Sequence, residues 1–259
     1  MSNIIDIKNL SFGYDKNTKV LDDLSVGFEE GRIIALIGKN GSGKSTLLDC
    51  LLGTNEYSGN ILIKEHDVKA MSDKEYARLV SFIPQSVQIN IDYSIRDFIS
   101  FGRNPHLKFG LSLGDDDYQK VNDNAKKCGI TNLLDKDINK VSGGERQLAF
   151  IARALTQETP IIVMDEPTAS LDFGNQQKLF RIMDSLVKEG KTILFTTHNP
   201  NHLVSLDCDI FAMSNAKLTK IEVLNNETIK EIYGDEFERE GKAFIFKIWG
   251  ERSNASQNK

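Results

Sequence analysis

The sequence predicts an α/β fold with a mainly parallel sheet flanked by helices, and three short apolar runs carry that prediction. Ile33–Ile37, Ile161–Met164 and Thr192–Thr197 are short and continuous, as expected for strands buried on both faces. Helical stretches such as 174–189 separate them. Alternation of this kind is typical of a parallel sheet.

Two further regions differ from that core. Residues 4–7 and 20–28 have strand-like composition and 61–63 follows a glycine turn, so an N-terminal antiparallel β subdomain is expected beside the core. From roughly 90 to 156 the pattern is mostly helical, interrupted at 110–117 by glycine and aspartate, which predicts a helical subdomain inserted between core strands. We expect one domain over 1–235 and a C-terminal extension over 236–259, with a final strand at 244–249 and a polar tail.

Bulk composition bounds the class of protein. With 40% hydrophobic and 27% charged residues in 259 positions, a soluble globular protein with a substantial core is expected. The net charge of −5 argues against a nucleic-acid partner, although a local basic face is compatible with an acidic average. No apolar run approaches the roughly 20 residues of a membrane span, and the N-terminus has no signal-peptide pattern.

Cys50, Cys128 and Cys208 are far apart, and reduced, mostly buried thiols are expected.

A glycine-rich loop follows the first apolar run. Residues 38–45 read GKNGSGKS, the G-x-x-x-x-G-K-S pattern that binds nucleotide phosphates between a strand and a helix. Its glycines let backbone N–H groups face phosphate oxygens, and the dipole of the helix predicted at 45–52 adds to the attraction. Lys44 is expected to reach the β- and γ-phosphates and the Ser45 hydroxyl to hold Mg²⁺. The predicted ATP-binding residues here are Gly38, Lys39, Asn40, Gly41, Ser42, Gly43, Lys44, Ser45 and Thr46.

Polar side chains follow the other two apolar runs. Asp165 and Glu166 come directly after Ile161–Met164, and His198 directly after Thr192–Thr197. The carboxyl ends of parallel strands form the usual ligand edge of an open sheet. There Asp165 is expected to hold Mg²⁺, Glu166 to polarise an attacking water and His198 to contact the γ-phosphate. The alternative for the acidic pair is a helix entrance with carboxylates near the dipole.

A second helix start suited to anions lies about a hundred residues after the phosphate loop. Ser142 and Glu145 form an S-x-x-E capping box before a helical pattern. Gly143 and Gly144 are poor helix formers, each costing up to about 1 kcal/mol relative to alanine in a helix interior. Two glycines at a helix start are explained if a phosphate approaches the backbone closely there. The simpler alternative is that this segment is only a well-capped helix. The chain therefore carries two candidate anion sites and one nucleotide motif.

The order of these motifs resembles that of the ATPase subunits of the ATP-binding cassette (ABC) family, over nearly the whole chain to about residue 220. The phosphate loop, 142–147 (SGGERQ), 161–166, 170–172 (SLD) and His198 follow that family's order. The resemblance implies catalysis by Glu166, His198 and Lys44, with ATP and Mg²⁺ as cofactors.

The resemblance also implies how further residues act. Tyr14 would stack on adenine, and Gln85 would sense Mg²⁺ and water at a metal site shared with Ser45 and Asp165. Two copies would pair head to tail, with Asp172 at the interface. In such a dimer the signature residues Ser142, Gly143, Gly144 and Gln147 of one chain would complete the ATP site of the other.

A narrower resemblance concerns the type of transporter. Residues 101–106 (FGRNPH), 171–176 (LDFGNQ) and 197–202 (THNPNH) are similar to the ATPases of cobalamin, haem and iron-siderophore importers. Two positions depart from the family pattern: Val141 replaces the usual leucine, and Asn199 stands where many relatives have aspartate. The resemblance implies a peripheral subunit at the cytoplasmic face of the cell membrane. Its partners would be transmembrane permease subunits and, indirectly, an external substrate-binding protein.

Two alternatives share the same motifs. One is a non-transport ABC ATPase that acts in iron–sulfur cluster assembly or on nucleic acid. The other is a regulatory module that binds ATP without turnover, against which Glu166 and His198 argue. The transported substrate is not encoded here, because its recognition is expected to lie in the permease and the external binding protein.

Overall fold

The computed structural model describes residues 2–15, 18–85, 89, 92–108, 112–234, 237–240 and 243–246. Its strands are β1 (Asn3–Phe12), β2 (Leu21–Glu29), β3 (Ile33–Ile37), β4 (Ser58–Ile63), β5 (His66–Asp67), β6 (Val80–Ile83), β7 (Ile161–Met164), β8 (Thr192–Thr197), β9 (Asp209–Ser214), β10 (Lys217–Ile221), β11 (Phe237–Glu240) and β12 (Ala243–Phe246). Its α-helices are α1 (Lys44–Leu51), α2 (Asp73–Leu79), α3 (Ile95–Ser100), α4 (Asp115–Cys128), α5 (Gly143–Thr156), α6 (Phe173–Lys188), α7 (Asn201–Val204) and α8 (Asn226–Tyr233). Short 3₁₀ segments lie at Val68–Ala70, Phe101–His106, Thr131–Leu133 and Ile138–Lys140.

A six-stranded sheet with the order β10-β9-β3-β8-β7-β6 forms the centre of the molecule. All neighbouring strands in it pair in parallel except β10, which pairs antiparallel with β9. Every residue of β3 is buried. Ile33, Ala35 and Ile37 pack into one core cluster, whereas Ile34 and Leu36 pack into a second. Burial on both faces explains the continuous apolar runs, and it confirms the parallel α/β prediction.

A four-stranded antiparallel sheet, in the order β2-β1-β4-β5, covers the second of these clusters. Side chains of β1, such as Ile5 and Ile7, share that cluster with Leu47 and Leu48 of α1. Burying an aliphatic side chain of this size stabilises a fold by about 1.5–3 kcal/mol. The predicted antiparallel β subdomain is therefore confirmed, and it packs directly on the helix that follows the phosphate loop.

Helices α3, α4 and α5 lie between β6 and β7 in the chain, which confirms the predicted helical insertion. One detail of that prediction was wrong, because α4 begins at Asp115, inside the stretch expected to interrupt the helices. The three aspartates at 115–117 form the first turn of α4, where carboxylates are stabilised by the helix dipole. Residues 110–111 of the same stretch lie outside the described residues.

The 3₁₀ segment Phe101–His106 holds the C-terminal end of α5. Arg103 Nη1 donates to the Thr156 carbonyl at 3.0 Å, and Arg103 also pairs with the carboxylates of Asp117 and Glu158. A Cβ at Gly102 would lie 2.4 Å from the Arg153 carbonyl oxygen, so this close packing requires glycine. The segment that resembles importer ATPases thus fixes the far end of the helix that begins at Ser142.

Helix α8 lies at the end of the expected 1–235 domain, and the antiparallel hairpin β11–β12 follows it in the C-terminal extension. The sequence interpretation missed α8, although Asn225 caps it by accepting a hydrogen bond from the Thr228 backbone. The expected final strand at 244–249 is described as Ala243–Phe246. The positions after 246, including the expected polar tail, lie outside the described residues.

Two predictions from composition are also answered. In the described ranges, no helix combines the length and the apolar character needed to cross a membrane. Cys50 and Cys128 are buried and Cys208 is half-buried, all three as free thiols. Burial raises the pKa of each thiol to about 12, which suppresses the reactive thiolate.

Candidate functional site: the phosphate loop and the neighbouring strand ends

The loop between β3 and α1 is built on glycines in conformations that other residues avoid. Gly43 caps α1 with a φ of 105°, and no side chain occupies the cap. A Cβ at Gly38 would lie 2.5 Å from the Met213 carbonyl oxygen. The first N–H groups of α1 are thus left without a capping side chain, an arrangement suited to an anion.

Lys44 is buried at the start of α1. Its ammonium donates to the carbonyls of Gly38 at 2.8 Å and Lys39 at 3.0 Å, so the loop folds around it. Burial lowers the pKa of Lys44, and the charges of Glu166 and Asp165 oppose that fall. The Lys44 ammonium is thus fixed beside the phosphate loop and near two carboxylates, where it can bind a polyanion such as a nucleotide phosphate chain.

A cavity of about 520 Å³ opens beside this lysine. It brings together residues from five separate segments of the chain. Its lining is Tyr14, Val20, Asn40, Gly41, Gly43, Lys44, Ser45, Thr46, Gln85, Glu166 and His198.

The two catalytic candidates at the strand ends are in direct contact. His198 Nδ1 lies 3.0 Å from Glu166 Oε2, and Glu166 is buried whereas His198 is exposed toward the cavity. Glu166 has a left-handed backbone with φ of 44°, a conformation that costs a non-glycine residue of order 1–3 kcal/mol. The buried Thr196 hydroxyl holds it there by accepting from the Glu166 N–H at 2.8 Å. Backbone strain of this kind is expected at a site where the carboxylate direction matters.

Oxygen donors for a divalent cation lie beside the loop. Ser45 Oγ is 3.3 Å from Asp165 Oδ1, which also accepts from Thr196 Oγ1 at 2.6 Å. Gln85 is exposed and lines the same cavity. Among the described residues, no group of three or more His, Cys, Asp or Glu side chains is arranged to hold a metal. The donor set fits Mg²⁺, which prefers oxygen and is usually bound by one or two protein oxygens together with substrate phosphates.

Tyr14 stands at the rim of the cavity with 71% of its surface exposed. Its hydroxyl lies 3.3 Å from Thr46 Oγ1, and its ring packs edge-on against Phe12. One face of an aromatic ring is therefore held beside the phosphate loop and open to solvent.

The second candidate anion site lies at the start of α5. The capping box is present, since Ser142 Oγ accepts from the Glu145 N–H at 3.2 Å and Glu145 accepts from the Ser142 N–H at 2.9 Å. A Cβ at Gly144 would lie 3.1 Å from the Ser170 carbonyl oxygen. This contact within the chain already favours glycine at position 144. At Gly143 the nearest atom, Ser170 Cβ, would be at an ordinary 3.8 Å. Nothing in the described part of this chain therefore requires glycine at the exposed position 143.

The other predicted interface residues differ in exposure. Asp172 is exposed and caps α6 by accepting from the Asn175 N–H at 2.8 Å. Gln147 is buried instead, and its amide donates to the Pro84 carbonyl of the same chain at 3.4 Å. Helix α5 is thus joined directly to the residue before Gln85.

Fold and site together define a nucleotide-binding α/β ATPase of the phosphate-loop type. Residues 21–169 match the family described as ABC transporter. The chain therefore belongs to the ABC transporter family, as a nucleotide-binding subunit with ATPase activity, and the family resemblance is confirmed.

Individual relatives agree with this family. The chain is 33% identical over 236 residues to the petrobactin import ATP-binding protein of Bacillus subtilis (strain 168), covering 89% of this chain and 92% of that protein. It is 29% identical over 237 residues to the iron(3+)-hydroxamate import ATP-binding protein of the same organism, covering 89% and 88%. Among solved structures, an inward-facing conformation of an ABC transporter assigned to the metal-chelate type has a TM-score of 0.78 and 28% identity, covering 94% of this chain and 96% of that one.

Sequence reasoning missed three residues around the site. Thr196 supports both Asp165 and Glu166, yet a threonine in a buried strand gives no signal of that role. Asn201 lies in the segment 197–202, which sequence reasoning compared with importer ATPases without giving Asn201 a role, and Tyr233 lies in α8, which it missed. Only α8 had a detectable sign, because Ile229, Ile232 and Tyr233 follow the period of a helix buried on one face.

Proposed function

We propose that this chain is the ATP-hydrolysing subunit of an ABC importer that takes up an iron chelate, haem or cobalamin through a membrane permease. One observation supports ATP hydrolysis: Lys44, Glu166 and His198 line one cavity with the phosphate loop. The importer part is supported by the similarity to import ATP-binding proteins. The exposed start of α5 is not among the residues that line that cavity. The site thus has its catalytic groups and lacks its second anion-binding helix.

The residues divide the chemistry between them. The phosphate loop and Lys44 bind the β- and γ-phosphates, and Tyr14 stacks on the adenine. Glu166 orients the attacking water and accepts its proton as the water oxygen bonds to the γ-phosphorus, while the bond from that phosphorus to the oxygen bridging it to the β-phosphorus breaks and ADP leaves. His198, held against Glu166, and Lys44 stabilise the charge that develops on the γ-phosphate. Ser45, Asp165 and Gln85 would hold Mg²⁺, which would supply positive charge that neutralises the phosphates.

A head-to-tail dimer supplies the missing helix. Ser142, Gly143 and Gly144 of one chain bind the γ-phosphate held by the other, and Gln147 connects that contact to Pro84 and Gln85. Asp172 lies at the interface between the two copies. Each ATP is then sandwiched, so binding closes the dimer and hydrolysis reopens it.

The partners follow from the proposed importer function. The named relatives are import ATP-binding proteins for petrobactin and for iron(3+)-hydroxamate, which favours transmembrane permease subunits as partners and an external substrate-binding protein as an indirect one. The chain would sit at the cytoplasmic face of the membrane, bound through the permease near Gln85 and the helical subdomain. No nucleic acid is expected as a partner.

An ATPase assay tests the catalytic part of the proposal. Glu166→Gln should bind ATP with wild-type affinity and lose hydrolysis by about 10²–10⁴-fold, the usual contribution of a positioned general base. Lys44→Ala should lose ATP binding, whereas Glu189→Gln, which alters an exposed pair with Lys127, serves as the matched control. Wild-type turnover in Glu166→Gln would contradict the assignment of Glu166.

Co-purification tests the importer part. The tagged chain should be recovered from membranes together with a multi-span permease, and its ATPase rate should respond to that permease. Recovery with a soluble scaffold alone would favour a non-transport ABC ATPase instead.

A further inference from the structure

A second, buried histidine bonds to the segment that carries His198. His202 lies in α7 and is 7% exposed. Its Nδ1 lies 2.8 Å from Thr197 Oγ1, and its Nε2 lies 3.3 Å from Asn199 Nδ2. These two partners are the residues immediately before and after His198. One buried imidazole therefore bonds to both chain neighbours of a catalytic candidate.

The amide of Asn199 fixes the direction of these bonds. Asn199 Oδ1 accepts from the Asn201 N–H at 3.0 Å, so the amide atom that faces His202 is the nitrogen. An amide nitrogen only donates, and Nε2 of His202 is therefore an acceptor that carries no proton. Burial lowers the pKa of His202 to about 4, so the ring is neutral at pH 7. Its single proton then lies on Nδ1 and is donated to Thr197 Oγ1.

These hydrogen bonds join a fixed residue to one that lies beyond the sheet. Thr197 is the last residue of β8 and pairs with Ile37 of β3, so the central sheet fixes its position. Asn199 follows the end of the strand. Its N–H donates to Thr197 Oγ1 at 3.1 Å, and its side chain donates to His202, which donates to the same Thr197 oxygen. The turn in which His198 stands is thus closed by a small hydrogen-bond network centred on Thr197 and His202.

The imidazole of His202 is itself held by packing. Its ring centroid lies 5.4 Å from that of the buried Phe180 in α6, with the ring planes at 62°. The side chain of His198, in contrast, is 58% exposed and lies 3.0 Å from Glu166. Catalytic groups have to be held within about 0.5 Å by residues whose own rotamers are locked. His202 fits this role because it is buried, packed on a helix and bonded through both ring nitrogens.

We propose that His202, as the neutral tautomer with its proton on Nδ1, is a positioning residue that sets the turn carrying His198. This inference rests on the proposed ATPase function, in which His198 stabilises charge on the γ-phosphate. His202 is not among the residues that line the ATP cavity. Its replacement should therefore change turnover and leave ATP binding in place.

His202→Phe tests the positioning role, because it keeps an aromatic ring against Phe180 and removes both hydrogen bonds. The kcat for ATP hydrolysis by the full-length chain should fall roughly 5- to 50-fold, since two net hydrogen bonds no longer fix the turn at His198. The Kd for ATP should stay within about twofold of the wild-type value. His202→Gln should keep kcat within about threefold of the wild type, because its amide offers one donor and one acceptor as the neutral imidazole does.

Thr159→Val is the matched control for the loss of buried hydrogen bonds. The buried Thr159 hydroxyl lies 3.0 Å from Ser81 Oγ and 2.8 Å from the Ile161 carbonyl oxygen, at the start of β7 and away from its catalytic end. The variant should melt at a lower temperature than the wild type and keep the wild-type kcat and Kd. A loss of turnover in Thr159→Val as large as that in His202→Phe would attribute the effect to stability and overturn the positioning role.

Nuclear magnetic resonance of the ¹⁵N-histidine-labelled chain tests the tautomer without relying on activity. At pH 7 the His202 ring, assigned by its absence from the spectrum of His202→Gln, should show a protonated Nδ1 and an unprotonated Nε2. A proton on Nε2 would contradict the hydrogen-bond network and overturn the inference.

The outcomes separate this inference from the proposed function. If the wild-type chain neither binds nor hydrolyses ATP, the proposed function fails and the positioning role fails with it. If the wild type hydrolyses ATP but His202→Phe turns over at the same rate, or His202→Gln loses as much activity as His202→Phe, the positioning role is overturned and the ATPase assignment stands. A kcat loss in His202→Phe that His202→Gln largely avoids, at constant Kd, supports the inference.

Discussion

Replacing Gly143 by alanine should make the free chain more stable and the ATPase slower. Gly143 is the first residue of α5, it is exposed, and a Cβ there meets only Ser170 Cβ at 3.8 Å. If the nucleotide bound by a second chain approaches this backbone, glycine is needed for that contact in the dimer. In the monomer, glycine only lowers the stability of the helix.

The two effects have separate magnitudes. Alanine for glycine stabilises a helix by up to about 1 kcal/mol, which corresponds to a rise of roughly 2–4 °C in the melting temperature for a chain of this size. A methyl group forced into a well-packed contact costs about 1–3 kcal/mol. In the closed dimer that cost would lower turnover roughly 5- to 150-fold.

Gly144→Ala is the matched comparison. Its Cβ would lie 3.1 Å from the Ser170 carbonyl oxygen, so the helix gain should be offset and the melting temperature should stay level or fall. Thermal unfolding by circular dichroism, ATP titration of the monomer and a coupled ATPase assay measure the three quantities. A Gly143→Ala chain that melts higher, binds ATP normally and still turns over at the wild-type rate would refute a nucleotide contact at this glycine.

Three further predictions follow from other parts of the structure. Tyr14→Ala should weaken ATP binding by about 1–3 kcal/mol, the usual contribution of stacking on an aromatic ring. Tyr14→Phe, which keeps the ring, is the control, and a fluorescence titration measures the Kd for ATP. Equal Kd values for Tyr14→Ala and the wild type would show that Tyr14 is not part of the adenine site. Burial, and to a lesser degree His198, lowers the pKa of His202 from 6.5 to about 4, so the unfolded chain binds the extra proton in this window. The contribution of neutral His202 to the free energy of unfolding should therefore be fully present above pH 6.5, and about 3 kcal/mol of it should be lost as the pH falls to 4. In urea titrations, the stability of His202→Gln should fall less over this pH range than that of the wild type. Identical pH profiles for the two proteins would contradict the prediction. Gly102→Ala should destabilise the fold by about 1–3 kcal/mol because its Cβ would meet the Arg153 carbonyl at 2.4 Å, whereas Gly174→Ala in α6, whose Cβ would meet only Asp172 Oδ1 at an ordinary 3.5 Å, should not.

The sequence identified those parts of the fold and site that depend on local pattern. Two-sided burial makes β3, β7 and β8 continuous apolar runs, and the carboxyl ends of those strands bring Glu166 and His198 to one cavity. The capping box at Ser142 was visible because it needs only four consecutive residues.

Other features depend on tertiary contacts and leave little local signal. The left-handed backbone of Glu166 is maintained by Thr196, which is 30 residues away in the chain. The burial of Gln147 depends on Pro84, 63 residues distant. Helix α8 returns to the phosphate loop, since Glu231 and Ile232 line one cavity together with Lys39 and Asn40, and neither segment indicates this by itself. Residue type and spacing therefore predicted the reacting groups, and the packing that orients them came only from the structure.

The mass of Glu166→Gln in solution with ATP tests most directly whether each ATP pocket is completed by a second chain. Light scattering should show a monomer without nucleotide and a dimer with ATP, since the trapped γ-phosphate bridges the phosphate loop of one copy and the α5 start of the other. Adding Gly143→Asp to the same chain should keep ATP binding at Lys44 and abolish the dimer. If Glu166→Gln stays monomeric with ATP bound, or if the double variant dimerises as well as the single one, completion of the site in trans is wrong.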